Sequence, residues 1–252
     1  MLRQIVSLLF ILLLSLPAHA GHTLVLIHGY LDDGSTWRQS GIVSAFSAAG
    51  WQEAGHLERN LYTVTLPSEA PLAAQAQWLD FYLRQLQKRH PKNSLILVGH
   101  SAGGVVARLV MVVSGIPVQG LITIASPHLG TDKAEWGSML SNSPFSWFAP
   151  FFGLDTLNRS KGLYWDLVRE HPASLLFWLN RQSHPSAFYA SIVRVDGDKW
   201  VPAYSQDMND VPALRGLAMT VTSEGTHSLQ VADGPVLISL LDKLLLSHKN
   251  AK

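Results

Sequence analysis

The sequence contains no cysteine. That excludes a thiol nucleophile, a thiolate zinc site and a lipid-modified N-terminal cysteine, and it leaves no disulfide to staple the fold. A buried core must hold the chain instead. Charge of one sign is missing too: 19 Lys and Arg stand against 18 Asp and Glu in 252 residues. This balance argues against a nucleic-acid partner, which calls for a basic patch. Beyond residue 20 there are no long apolar runs. Gly, Pro or charge breaks each one well short of the roughly 20 residues that a spanning helix needs.

The one extended apolar run lies at the start. Met1-Leu2-Arg3-Gln4 carries a single positive charge, Ile5 to Leu16 is almost wholly apolar, and Pro17-Ala18-His19-Ala20 ends in small residues. Ile5 to Leu16 is too short to anchor in a bilayer, and the layout is that of a secretory signal peptide. Residues 1–20 are therefore expected to be removed after Ala20, placing the mature chain in the periplasm or outside the cell. What remains, 21–252, is nearly neutral and suits one α/β domain.

Short β-rich runs then alternate with helical patterns. Strands are expected at Thr23–His28, Leu61–Leu66, Leu95–Val98, Leu121–Ala125, Ser191–Val195 and Leu217–Thr222. Helices are expected at Thr36–Ala49, Leu72–His90, Ala102–Val113 and from Pro235 to about Ser247. In the second of these, Leu72, Ala76, Leu79, Leu83 and Leu86 recur at four-three-four-three spacing, which is one helical face. The alternation predicts an α/β fold: a mostly parallel sheet with helices on both faces. Only about 131–187 departs from the rhythm. It is rich in aromatics (Trp136, Phe145, Trp147, Phe148, Phe151, Phe152, Trp165, Phe177, Trp178) and broken by Pro144, Pro150 and Pro172. So long a structureless loop is unusual in a compact domain, so short helices inserted over the sheet are expected.

Chemistry enters with Gly99-His100-Ser101-Ala102-Gly103. Chance supplies Gly-x-Ser-x-Gly roughly once in a dozen chains of this length, so its setting decides. Here it follows an apolar strand and opens a helix, the strand–turn–helix setting that lifts a serine hydroxyl above a sheet. A phosphate loop is disfavoured, because no lysine follows the glycines. A serine nucleophile needs a base oriented by an acid. Among eleven histidines, His227 follows the last strand and precedes the final helix, where a base reaching back over the sheet belongs. Two acids follow the preceding strand. Asp198 stands in the loop proper and is preferred, while Asp196 lies nearer the strand and can cap a turn. Oxyanion donors are expected from the N–H of Ala102 and from the loop after the first strand, where His28-Gly29 lets Tyr30 present its N–H.

These residues resemble the α/β-hydrolase superfamily, and within it the bacterial triacylglycerol lipases and lipase-like esterases. His28-Gly29-Tyr30, the Ser101 pentapeptide, Ala125-Ser126-Pro127-His128-Leu129-Gly130-Thr131 and the Asp198/His227 pair carry the likeness, and they span almost the whole mature chain. It implies a serine ester hydrolase for hydrophobic acyl esters, with 131–187 as a cap and with transient contact between that cap and a lipid interface. The same set of residues fits a small-ester or polyester hydrolase, or an acyltransferase. A non-catalytic binding protein on this fold is the other class. Many secreted lipases of this kind bind calcium through an Asp two residues after the histidine. Here that position is Leu229, and Asp233 in Asp233-Gly234-Pro235 reads as a helix cap. No metal and no cofactor are expected.

Overall fold

The computed structural model describes residues 21–55, 58–132 and 155–250. The expected signal peptide and the aromatics Trp136, Phe145, Trp147, Phe148, Phe151 and Phe152 lie outside the described residues. No helix among the described residues is long and apolar enough to cross a membrane.

Seven strands form one sheet in the order β2-β3-β1-β4-β5-β6-β7. They are β1 (His22–Ile27), β2 (Gln52–Glu53), β3 (Arg59–Val64), β4 (Ser94–His100), β5 (Val118–Ile124), β6 (Phe188–Arg194) and β7 (Ala218–Ser223). Every pairing is parallel. The central strands are buried on both sides, so alternate residues feed two separate cores. Val25, Ile27, Leu95 and Leu97 face one of them, and Leu24, Leu26, Ile96 and Val98 face the other. This explains why the strands read as continuous apolar runs rather than alternating ones.

Helices α1 (Thr36–Gln39) and α2 (Ile42–Ala48) cover the second core together with the C-terminal helix (Asp233–Asn250). The expected single helix from Thr36 to Ala49 is thus two. Gly41 between them has φ +80°, a left-handed backbone that glycine adopts without a Cβ penalty. Helices α3 (Leu72–Arg89) and α4 (Ala102–Val113) cover the first core. In the insertion after β5, α5 (Asp155–Arg159), α6 (Lys161–Leu167) and α7 (Leu175–Leu179) follow. Leu163, Leu167, Leu176 and Leu179 from that segment join the same core as α3 and α4. Helix α8 (Ala203–Gln206) comes after β6, and the C-terminal helix is α9.

Several boundaries differ from expectation for identifiable reasons. Strand β3 stops at Val64 because the Leu66 N–H leaves the ladder to donate to His28 Nε2 at 2.8 Å. Strand β5 stops before Ala125, which turns to φ +51°. Helix α9 begins two residues before Pro235, at Asp233, whose carboxylate is buried in an ion pair.

The Ser-Pro-His element forms the stem of the insertion. Thr131 N–H donates to Leu167 O at 2.9 Å and Glu170 N–H to Leu129 O at 3.0 Å, tying its start to the end of α6 and the segment after it. His128 is fully buried there against Thr123 Oγ1, at 3.1 Å. Its role is internal.

Candidate active site

The carboxyl ends of β1, β4, β6 and β7 carry the loops that converge. Ser101 sits between the last residue of β4 and the first of α4, at φ 51° and ψ −129°. Such a backbone costs a non-glycine residue about 1–3 kcal/mol, so its surroundings must impose it. They do so by close approach. A Cβ on Gly99 would lie 2.5 Å from Gly104 N, one on Gly103 2.7 Å from Ile27 O, and one on Gly104 2.9 Å from Ser126 Cβ. With no side chains at these three positions, α4 drops onto β4, β1 and β5. Gly104 lies outside the five-residue pattern, and the Gly-Gly pair was its only sequence signal.

The expected partners meet this serine. His227 Nε2 is 2.8 Å from Ser101 Oγ, and His227 Nδ1 is 2.9 Å from Asp198 Oδ2. A neutral imidazole that donates Nδ1–H to Asp198 leaves Nε2 to accept the serine proton. Asp198 is held from both sides. Oδ1 accepts the N–H groups of Trp200 (2.8 Å) and Val201 (3.0 Å), and Oδ2 accepts Gln206 Nε2 at 3.1 Å. Burial alone would raise its pKa, but the hydrogen bonds from His227, Val201 and Trp200 outweigh it and hold the carboxyl below its usual range. Asp196 is exposed in the same loop, and the acid bonded to His227 is Asp198.

The histidines of the motifs serve the backbone. His100 Nε2 donates to the carbonyl of His227 at 2.8 Å, so the residue before the serine supports the loop carrying the base. Burial, reinforced by the nearby His227, drives the His100 pKa down to about 4, and the ring is neutral at ordinary pH. His28 accepts the Leu66 N–H on Nε2 and therefore donates from Nδ1 to Gly29 O, at 2.9 Å. That bond fixes the turn at Gly29, where a Cβ would lie 2.8 Å from Ser101 Cβ. The loop leading to Tyr30 is thereby pressed against the serine. The Tyr30 hydroxyl bonds Tyr164 of α6 at 2.6 Å, with the rings edge-on, and joins this loop to the insertion.

A strained serine, an imidazole within reach of its proton and a carboxylate on the far ring nitrogen can together deliver an oxygen nucleophile to a carbonyl. Among the described residues no group of His, Asp and Glu is arranged to hold a metal ion.

A family model described as the alpha/beta hydrolase family matches residues 24–237. The chain belongs to that family. No curated protein matches the sequence. Among solved structures, a Bacillus licheniformis lipase in its mature form is similar at 17% identity, over 92% of this chain and 94% of that one, with a TM-score of 0.58. A lipase-esterase related protein from Clostridium acetobutylicum is 12% identical over 90% of this chain and 98% of that one, at a TM-score of 0.59. An extracellular alpha/beta-hydrolase from a Paenibacillus species is 17% identical over 88% of this chain and 98% of that one, at 0.53. At these identities the likeness is one of fold. The α/β-hydrolase fold expected from the sequence is the fold observed, and all its strand pairings are parallel.

Three residues in contact with the candidate site or its loops were not found from sequence. Gln206 touches Asp198, while Arg194 and Asp233 form a buried pair behind His227. Asp233 is therefore more than a helix cap. The signal for Arg194 was present: a lone charge ending the apolar strand Ser191-Ile192-Val193.

Proposed function

We propose that this protein is an exported serine ester hydrolase acting on hydrophobic acyl esters. The observation that carries the reading is the hydrogen-bonded line Ser101–His227–Asp198, at 2.8 and 2.9 Å. Ser101 Oγ attacks the ester carbonyl carbon as its proton passes to His227 Nε2. Asp198 keeps the imidazole in the required tautomer and stabilises the imidazolium. Negative charge then builds on the carbonyl oxygen, and the N–H groups of Ala102 and Tyr30 receive it. The C–O bond breaks as His227 protonates the departing alcohol, leaving an acyl-serine. Water, deprotonated by the same imidazole, attacks that acyl group, and the carboxylic acid leaves as Ser101 regains its proton. No metal or cofactor takes part.

The preference for greasy acyl groups is supported by the loops around the serine. Leu31 after β1, Trp200 after β6 and Val231 after β7 are all at least 59% exposed, and they stand at the end of the sheet that carries Ser101. Trp165 and Trp178 are exposed on the insertion, which we assign as the cap and as the part that meets a lipid interface. The leader pattern in residues 1–20 supports export. Aryl esters of increasing chain length, assayed with wild type and Ser101→Ala, test the reading. Turnover rising toward medium and long chains and abolished in Ser101→Ala is expected. A preference for two-carbon acyl groups favours a small-ester hydrolase, and no turnover by folded wild type overturns the enzyme reading.

A further inference from the structure

We propose that Arg194 is a positioning residue that holds the acid and the base of this site in register, an inference resting on the catalytic reading of Ser101, His227 and Asp198. Arg194 is the last residue of β6, the strand between β5 and β7, and only 2% of it is exposed. Its backbone serves the acid. The Arg194 N–H donates to Gln206 Oε1 at 2.7 Å, and Gln206 Nε2 donates to Val201 O at 2.7 Å and to Asp198 Oδ2 at 3.1 Å. Both ends of this fully buried amide are therefore committed, and its –NH2 can only point at the carboxylate.

Its side chain serves the base. Nη1 donates to Ser223 Oγ at 2.6 Å and Glu224 O at 3.4 Å, and Nη2 to Ser228 O at 3.4 Å and Asp233 Oδ2 at 2.7 Å. Asp233 Oδ2 also accepts the Gln230 N–H at 2.8 Å. These contacts bracket His227 in the chain, two before it and three after. With the His100 bond to the His227 carbonyl, the loop has few ways to move. Stability alone gives little reason for such a pair, because a buried ion pair seldom outperforms apolar residues of the same volume. Its distinctive output is the set of donors spent on one loop and one amide.

The test removes both charges together, so that no carboxylate is stranded. In the double variant Arg194→Met/Asp233→Leu, kcat on a soluble aryl ester is measured per active site titrated with a Ser101-directed probe, which discounts any unfolded fraction. A displacement near 1 Å costs on the order of 100-fold, so kcat per titrated site is expected to fall about 100-fold. KM should stay within about twofold, because ground-state binding is untouched. Arg194→Lys, which keeps the charge but not the fork, should come back to within about tenfold of wild type. Gln206→Met severs the acid limb alone and is expected to lower kcat about tenfold. Wild-type kcat per titrated site in the double variant and in Gln206→Met overturns the proposal. Should the double variant not fold, Arg194→Lys and Gln206→Met decide it together, and wild-type kcat per titrated site in both overturns the proposal. A wild type that takes no probe at Ser101 overturns the catalytic reading instead, which is a separate result.

Discussion

Two arginines are buried among the described residues, and they are furnished differently. Arg194, behind the base loop, meets a carboxylate, a hydroxyl and two carbonyls. Arg108, inside α4 under the insertion stem, meets only the amide of Asn180 at 2.6 Å and the His128 carbonyl at 3.4 Å. Nε is without a hydrogen-bond partner in both, but Arg108 leaves Nη1 unpaired as well, and burial pulls its pKa down to about 9. Glu170 is linked to it only through Asn180, whose Nδ2 reaches Glu170 Oε2 at 2.7 Å. One region commits both terminal nitrogens of its arginine to the loop that carries His227. The other accepts an incomplete network in a stem whose position is already fixed by backbone bonds and core leucines. The arginine with more partners is the one that braces the His227 loop.

The contrast can be broken by substitution. Arg194→Met alone strands the Asp233 carboxylate, and chemical denaturation should show a loss of about 3–5 kcal/mol. Filling the space under the serine turn comes next. A Cβ at Gly104 has nowhere to go beside Ser126, so Gly104→Ala should cost about 1–3 kcal/mol and lower activity with it, as read by melting and turnover together. Arg108→Met strands no acid in direct contact. Its expected effect is the smallest, within about 1 kcal/mol of wild type or stabilising, with activity kept. A loss from Arg108→Met as large as that from Arg194→Met would erase the distinction.

Acid sharpens the comparison further. The folded His100 has a pKa of about 4 against 6.5 for a free ring, so the unfolded chain binds this proton first. Its contribution is complete above pH 6.5 and is lost as pH falls from there toward 4, at up to about 1.4 kcal/mol per pH unit. His128 and His184, beside Arg108, are depressed in the same direction by burial. His100→Gln keeps an N–H for the His227 carbonyl and should flatten part of this slope without abolishing turnover. An unchanged slope in urea melts between pH 4 and 7 would assign the loss to the stem instead.

What could be read from sequence followed from periodicity and from motif context. A double-sided core makes strands into apolar runs, and those runs located β1, β4, β5 and β6 to within a few residues. Ser101 was legible because its glycines have a steric purpose, and Asp198 because it stood out in the loop beyond the strand end. Other features were hidden for physical reasons. The break at Gly41 depends on one dihedral angle. Arg194 and Asp233 are thirty-nine residues apart in sequence, so no local pattern pairs them. Gln206 looks like any polar residue at a helix end until its two hydrogen-bonded sides are seen. Local rules find the elements and the candidate site residues, whereas the contacts behind them are tertiary.

The proposed reaction requires Ser101 to be an activated nucleophile. An active-site-directed fluorophosphonate, followed by peptide mapping, tests it most directly on the purified protein. One probe per chain is expected, attached at Ser101, with none taken up by Ser101→Ala and far slower uptake by His227→Ala. Folded wild type that takes no probe, or equal labelling of Ser101→Ala, would contradict it.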